Sequence, residues 1–181
     1  MFRENRKYQV NLFGMVYQLP VGVKKMLDES WSPAFRKLIF DKIDERHYAG
    51  LYSDIPSRPN FPVNVWVGLE IIKYFFDYTD EELMQQWHFN LLTTYALGQE
   101  GLGELTLCIR TVYYNRERLL EYEMKTGRNL LEEEFKSITD DALKQLGVDT
   151  GMQRMDSSFV GSFIKKMSRL ELKDKLRAII I

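Results

Sequence analysis

The chain has 181 residues, a length that suits one domain, or one domain and a small part of a second. Its hydrophobic content of 45%, with 13% aromatic residues, is ample for a packed core and excludes an intrinsically disordered chain. A formal net charge of -1 excludes a strongly basic protein, so any affinity for nucleic acid has to come from local clusters of charge.

Residues that cross-link chains or bind metals are scarce. Cys108 is the single cysteine, which excludes an intramolecular disulfide, and with only His47 and His88 a Cys/His zinc site is not expected. We interpret His88, between Trp87 and Phe89, as a packing residue. The chain has no apolar run of about 18 residues and no signal-peptide pattern, so we expect a cytoplasmic protein without membrane contact.

Helical patterns dominate the chain as far as Gly147. Ser32 and Pro33 predict the start of a first helix, because serine caps helices well and proline suits the first helical position. The apolar positions of this helix recur at helical spacing, at Phe35, Leu38, Ile39 and Ile43. Residues 44–62 break the pattern with one glycine and three prolines, so we predict a loop there.

Two further helices are predicted in the middle of the chain. Pro62 begins one of them, and its apolar face consists of Val65, Leu69, Ile72 and Phe76. Thr79 and Glu82 have the spacing of a capping box and begin the next, which continues through Leu83, Met84 and Trp87. We predict that the large apolar side chains of this region form the core, namely Trp66, Leu69, Phe75 and Phe76.

Glycines and caps also delimit the last two predicted helices. A turn-rich connection is marked by Gly98, Gly101 and Gly103. A long helix is then predicted over residues 105–125, with Gly127 at its C-terminal end. Asn129 begins a final helix that ends at Gly147.

The pattern changes after this last helix. Residues 148–151 have the composition of a linker, and residues 153–163 alternate as expected for a strand. One strand without a partner cannot form a sheet. We therefore predict two domains, a helical domain over residues 1–147 and the truncated beginning of a second domain over residues 148–181.

Asp156, within the predicted strand, is a candidate catalytic residue. Aspartate is disfavoured in strands, so its presence there asks for a reason, and one reason is chemical. A strand can hold a carboxylate toward a divalent ion, and two-metal phosphoryl transfer needs several such carboxylates around Mg²⁺. The alternative is an aspartate that caps local backbone groups at a strand edge or turn, and for one isolated aspartate this is the commoner case.

The long predicted helix carries a basic and aromatic face. Arg110, Tyr114 and Arg118 share one side at helical spacing, and Asn115 and Arg116 lie beside them. Arginine binds phosphates, and arginine or asparagine can bind base edges, so these residues are candidates for DNA contact. The alternative is a solvated helix face whose charges pair with neighbouring glutamates.

The C-terminal segment is rich in positive charge. Six basic residues outnumber Glu171 and Asp174 there, namely Lys165, Lys166, Arg169, Lys173, Lys175 and Arg177. Such a segment can follow a DNA backbone, and we include Lys165, Lys166 and Arg169 among the candidate DNA contacts. A solvated charged face is the alternative explanation.

Several segments, taken in order, resemble DDE insertion-sequence transposases. Four segments resemble the helical N-terminal domain of that family, namely RPNFP (58–62), TDEEL (79–83), ALG (96–98) and TVYYNRERL (111–119). Within the last of these, Asn115 stands where the family usually has phenylalanine. The start of the ribonuclease H-like catalytic domain is resembled by QRMDSS (153–158) and IKKMSRL (164–170). Phe163 departs from the asparagine that is common at its position.

The resemblance implies a mainly α fold, with a multi-helix DNA-binding domain followed by a short, truncated start of an α/β ribonuclease H-like domain. It implies that Asp156 is the first carboxylate of the Asp-Asp-Glu triad, which binds Mg²⁺ in a full-length enzyme. The second aspartate and the glutamate should lie far downstream, where this chain has no room for them. We therefore expect that the chain alone neither cleaves nor joins DNA and holds no cofactor.

Double-stranded DNA at the terminal repeats of an element is the partner that the resemblance implies, with a second copy or a full-length transposase as a further one. A non-enzymatic helical interaction module is the alternative function, and its near-zero net charge and aromatic residues suffice for that. A one-piece helix-turn-helix regulator is less favoured, because residues 83–105 show no compact pair of helices.

Overall fold

A computed structural model describes residues 1–5, 14–53, 55 and 59–145, the last five of these as backbone only. In these residues the chain is helical and contains no strand, which confirms the mainly α prediction. Two 3-10 helices, Phe40–Lys42 and Glu45–Leu51, accompany the α-helices, which are α1 (Met15–Gln18), α2 (Val21–Asp28), α3 (Trp31–Leu38), α4 (Val63–Phe76), α5 (Asp80–Phe89), α6 (Leu91–Ala96), α7 (Ile109–Thr126) and α8 (Leu130–Gln145). The predicted strand and second domain lie outside the described residues.

Helix α4 is the centre of the core. It is buried on nearly every side, and its apolar side chains pack against the two 3-10 helices, α5 and the segment after α6. The predicted core residues Trp66, Leu69 and Phe75 are buried, and Phe76 is partly buried against them. Within the described ranges, none of the helices has the length and apolar character needed to cross a membrane.

A buried glutamate caps the beginning of α4. Pro62 occupies the N-cap position and has no side chain that can accept a hydrogen bond, so the capping group comes from elsewhere. The Glu45 Oε2 atom accepts a hydrogen bond from the Val63 backbone N–H at 3.0 Å, and its Oε1 accepts one from the Asn5 N–H at 2.9 Å. A negative charge is favourable at a helix N-terminus, so Glu45 joins the start of the chain to the central helix.

Local capping signals predict some helix ends correctly. Thr79 and Glu82 form the reciprocal capping box that begins α5. Gly127 ends α7 with a left-handed φ of 70°, and the Asn129 side chain accepts a hydrogen bond from the Glu132 N–H at the start of α8. These three predictions are confirmed.

Other boundaries differ from the predictions. The N-cap of α3 is Ser30 rather than Ser32, because the Ser30 hydroxyl accepts the Ser32 N–H while Ser32 itself is buried. The predicted loop 44–62 contains the 3-10 helix Glu45–Leu51, which buries Tyr48 completely. Helix α7 begins four residues later than predicted, since Leu107 is buried in the preceding segment instead.

Candidate nucleic-acid interface

One side of α7 is fixed against the helical domain and the other faces solvent. Val112 and Asn115 are buried, and Leu119 and Tyr122 are partly buried against the core. This side packs on the 3-10 helix Glu45–Leu51 and on α5. The helix therefore presents a single exposed face, and the predicted DNA-binding residues divide between the two sides.

Arg116 lies on the fixed side and forms an ion-pair network with α4 and α5. Its Nε and Nη2 atoms donate to the Glu70 carboxylate at 2.7 and 3.0 Å, and Glu70 is only 4% exposed. Its Nη1 and Nη2 atoms also donate to the Asp80 carboxylate at 3.0 and 2.8 Å. Lys73 also donates to Asp80, at the same Oδ1 atom that Arg116 Nη2 contacts. The guanidinium is thus occupied by two bidentate carboxylates.

Asn115 is also on the fixed side. It is 5% exposed, and its side-chain nitrogen is buried without a hydrogen-bond partner among the described residues. Neither Asn115 nor Arg116 can reach a phosphate or a base edge without leaving these positions. We therefore expect neither residue to contact DNA, because Asn115 is buried and the Arg116 guanidinium is engaged in ion pairs.

The remaining three candidates on α7 share its exposed face. Arg110 and Tyr114 are exposed, and Arg118 is partly covered by two aromatic rings. The Arg118 guanidinium carbon lies 4.2 Å from the centroid of the Tyr114 ring and 5.0 Å from that of Tyr52. Its Nη2 atom also donates to the Tyr114 hydroxyl at 3.2 Å. The three side chains are spaced one helical turn apart, as predicted.

Acidic side chains lie on the same exposed face. Glu117 and Glu121 are exposed, and Glu121 forms an ion pair of 3.7 Å with Lys125. The face therefore carries mixed charge rather than a continuous basic stripe. Any DNA affinity of this surface would depend on the individual arginines more than on a large positive field.

The sequence did not reveal that Tyr52 belongs to this surface. Tyr52 follows the 3-10 helix Glu45–Leu51, and its ring centroid lies 5.8 Å from that of Phe2. Tyr52 is separated from Arg118 by more than sixty positions, and no local pattern marks it. Only the packing of the 3-10 helix on α7 brings the two side chains together.

The two histidines have separate structural contacts. The His88 Nε2 atom lies 3.0 Å from the Leu107 carbonyl oxygen, at the end of the segment that leads into α7. The His47 Nε2 atom lies 3.3 Å from the Glu133 carboxylate, so tertiary packing supplies an acidic neighbour that the local sequence does not show. Among the described residues, neither of these two contacts involves the exposed face of α7.

A compact pair of helices does occur in residues 83–105, contrary to our expectation. Helix α5 is followed by the single residue Asn90 and then by α6, and Asn90 caps α6 by accepting the Leu92 N–H. However, α6 buries Thr93, Thr94 and Ala96 and packs against α3. A recognition helix has to present an exposed face to the major groove, and every residue of α6 is either buried or only partly exposed.

The C-terminal candidates Asp156, Lys165, Lys166 and Arg169 lie outside the described residues. Over the ranges that the structure does describe, there is no group of three or more His, Cys, Asp or Glu side chains that could hold a metal ion. The described residues therefore contain no group of side chains suited to binding Mg²⁺.

The pKa of the Asp80 carboxyl is held well below its usual range, chiefly by the hydrogen bonds from Arg116 and then by those from Lys73, against the opposing effect of desolvation. A group with a depressed pKa in the folded state stabilises the fold above its unfolded pKa, and this stabilisation is lost as the pH falls through the folded pKa. We expect the stability difference between the wild type and Asp80→Asn to be constant near neutral pH and to shrink below about pH 4.

Urea unfolding between pH 7 and pH 2 measures this difference. Asp41→Asn is the matched control, because Asp41 is exposed and the structure records no ion pair for it. A difference for Asp80→Asn that stayed the same down to pH 2 would contradict the assignment.

One comparison with known protein families covers most of the surface described above, including Tyr52, Arg110, Tyr114 and Arg118. A family model described as a transposase domain (DUF772) matches residues 25–118, which is just over half of the chain. The chain belongs to this family of transposase domains, which gives it a role in transposition. The matched region runs from α2 to Arg118. No curated protein and no solved structure gave a match.

Proposed function

We propose that this chain is the N-terminal part of a DDE-type transposase and that its helical domain binds double-stranded DNA at the ends of a mobile element. The observation that carries the proposal is the pair of arginines on the solvent-facing side of α7, the exposed Arg110 and the partly covered Arg118, within a transposase-family domain. Arginines spaced along one helix face can bind successive phosphates of a duplex. A second copy or a full-length transposase would be a partner in the assembled complex.

The C-terminal candidates extend this proposal. Lys165, Lys166 and Arg169 would contact the DNA backbone beyond the helical domain. Asp156 would be the first carboxylate of the catalytic triad. Mg²⁺ would require the further carboxylates of a complete catalytic domain, since one carboxylate does not hold two metal ions.

Salt dependence of duplex binding tests the role of the two arginines. Fluorescence anisotropy with a labelled duplex that carries the element's terminal repeat should show affinity falling steeply as salt rises. Arg110→Gln and Arg118→Gln should each weaken binding and reduce the slope of log affinity against log salt by about 1, because each removes one phosphate contact.

The control is Lys37→Gln, which removes the same charge from an exposed position on α3. An equal loss of slope in Lys37→Gln would indicate general charge attraction instead of contact through α7. Absence of salt-sensitive binding to any duplex would overturn the proposed function.

A protein-interaction module is the second candidate function. Leu120 and Met124 are exposed on α7, and Phe89 is exposed at the end of α5. Exposed apolar side chains of this size favour a protein partner over DNA. This alternative requires a complex that persists at high salt, whereas the DNA complex should dissociate under those conditions.

A further inference from the structure

Four side chains beside α7 form a continuous series of ring and cation–π contacts, in which the Phe2 and Tyr52 rings are tilted by 40°. Phe2 and Tyr52 have ring centroids 5.8 Å apart, the Arg118 guanidinium carbon lies 5.0 Å from the Tyr52 ring, and it lies 4.2 Å from the Tyr114 ring. We call Phe2, Tyr52, Arg118 and Tyr114 the aromatic stack. It crosses from the beginning of the chain to the exposed face of α7.

The inner members of the aromatic stack are held firmly in place. Phe2 and Tyr52 are partly buried against the core. The residue after Phe2 is fixed by its backbone N–H, which donates to the Asn60 side chain at 2.7 Å. Arg118 is held between two rings and by its hydrogen bond to the Tyr114 hydroxyl. The inner end of the aromatic stack is therefore rigid.

Its outer member is open to solvent. Tyr114 is 52% exposed although Arg118 lies over one side of its ring. A tyrosine backed by a guanidinium loses little conformational freedom when a second flat group stacks on it, because its side chain is already oriented. The stack thus ends in a preorganised aromatic surface.

The ligand that fits this surface is a flat, π-bonded ring next to a phosphate. Arg110 is exposed one helical turn before Tyr114, where it can bind an adjoining phosphate. The bases inside an intact duplex are covered on both faces by their neighbours, whereas an unpaired base can turn out of the helix and stack on a protein side chain. Stacking on an aromatic residue contributes about 1–3 kcal/mol per base.

We propose that the aromatic stack, through Tyr114, binds one unpaired base of the DNA that lies along α7. This inference rests on the proposed DNA-binding function and specifies the form of DNA that is preferred: a duplex with a single-stranded end or an extruded nucleotide. Such a site would bind DNA with an unpaired end more tightly than an intact duplex of the same sequence.

The test compares two labelled duplexes that have the same sequence and differ only by a three-nucleotide single-stranded end. The full chain should bind the duplex with the unpaired end about 5- to 150-fold more tightly. Tyr114→Ala should bring this ratio close to 1, and Tyr114→Phe should keep it, since the phenyl ring preserves the stacking surface.

Tyr113→Ala is the matched control, because Tyr113 is the adjacent exposed tyrosine and lies outside the aromatic stack. It should retain the wild-type ratio. Thermal unfolding of each variant shows whether a loss of preference reflects a loss of folding. In a parallel measurement, a 2-aminopurine base in the unpaired end should be quenched by the wild type and not by Tyr114→Ala.

The outcomes separate the two proposals. Salt-sensitive binding to both duplexes with a ratio of 1 in the wild type would overturn the stacking site and leave duplex recognition intact. A preference that survives in folded Tyr114→Ala would also overturn it. Absence of binding to either duplex would refute the proposed DNA-binding function itself.

Discussion

Arg116→Ala is expected to destabilise the helical domain by about 3 kcal/mol. Removing one partner of a buried ion pair leaves the other charge uncompensated, which typically costs about 3–5 kcal/mol. The lower end of that range applies here because the Arg116 side chain is 28% exposed and water can partly solvate the site. Glu70, which is almost completely buried, accounts for most of the loss, since its carboxylate has no second cation in the recorded contacts.

Urea unfolding monitored by circular dichroism measures this effect, with Arg118→Ala as the control on the same helix. Arg118 contacts two aromatic rings and has no carboxylate partner among the described residues, so its replacement should cost only about 1–2 kcal/mol. The double variant Glu70→Leu with Arg116→Met should recover much of the lost stability, because apolar replacement of both partners removes the uncompensated charge. Equal losses in Arg116→Ala and Arg118→Ala would contradict the ion-pair network.

Gly98→Ala is expected to destabilise the protein by about 2–5 kcal/mol, from two separate causes. Gly98 has a φ of 74°, a left-handed conformation that costs other residues about 1–2 kcal/mol. A Cβ atom at this position would also lie only 2.7 Å from Cε1 of the Phe40 ring. Phe40 is buried, so the clash forces a core side chain to move, which adds about 1–3 kcal/mol.

Gly103→Ala separates these causes. Gly103 has nearly the same φ, 76°, but a Cβ atom there meets nothing within 4 Å. Its loss of stability should therefore report the backbone conformation alone. The excess loss in Gly98→Ala should decrease when Phe40 is replaced by leucine, because the smaller side chain makes room for the methyl group. If both alanine variants lost the same stability, contact with Phe40 would not matter.

Several features determined by residues close together in the sequence were predicted correctly, whereas two elements stabilised by tertiary packing were not. The capping box at Thr79 and the left-handed glycine at Gly127 depend on neighbouring residues, and both were predicted. Helix α6 was missed because it has only six residues and is stabilised by packing against α3, which no periodic pattern reveals. The 3-10 helix Glu45–Leu51 was missed for the same reason, since the burial of Tyr48 stabilises it.

For the candidate site, the sequence predicted which residues share a helix face but not what each side chain contacts. Helical spacing correctly placed Arg110, Tyr114 and Arg118 on one face, because that arrangement follows from the geometry of a single helix. The roles of individual side chains on α7 could not be derived from spacing. Arg116 and Arg118 are two positions apart, yet one is bound by Glu70, 46 residues away, and the other packs on Tyr52.

The attachment of the first residues to the core has a practical consequence for anyone who purifies this protein. Phe2 packs on Tyr52, Arg3 is hydrogen-bonded to Asn60, and Asn5 donates to both Glu45 and Asn64. An affinity tag placed before Met1 would therefore stand next to the surface proposed to bind DNA. Its charge or bulk would alter measured affinities even in a well-folded preparation, so tags should be removed by proteolysis or placed at the other end.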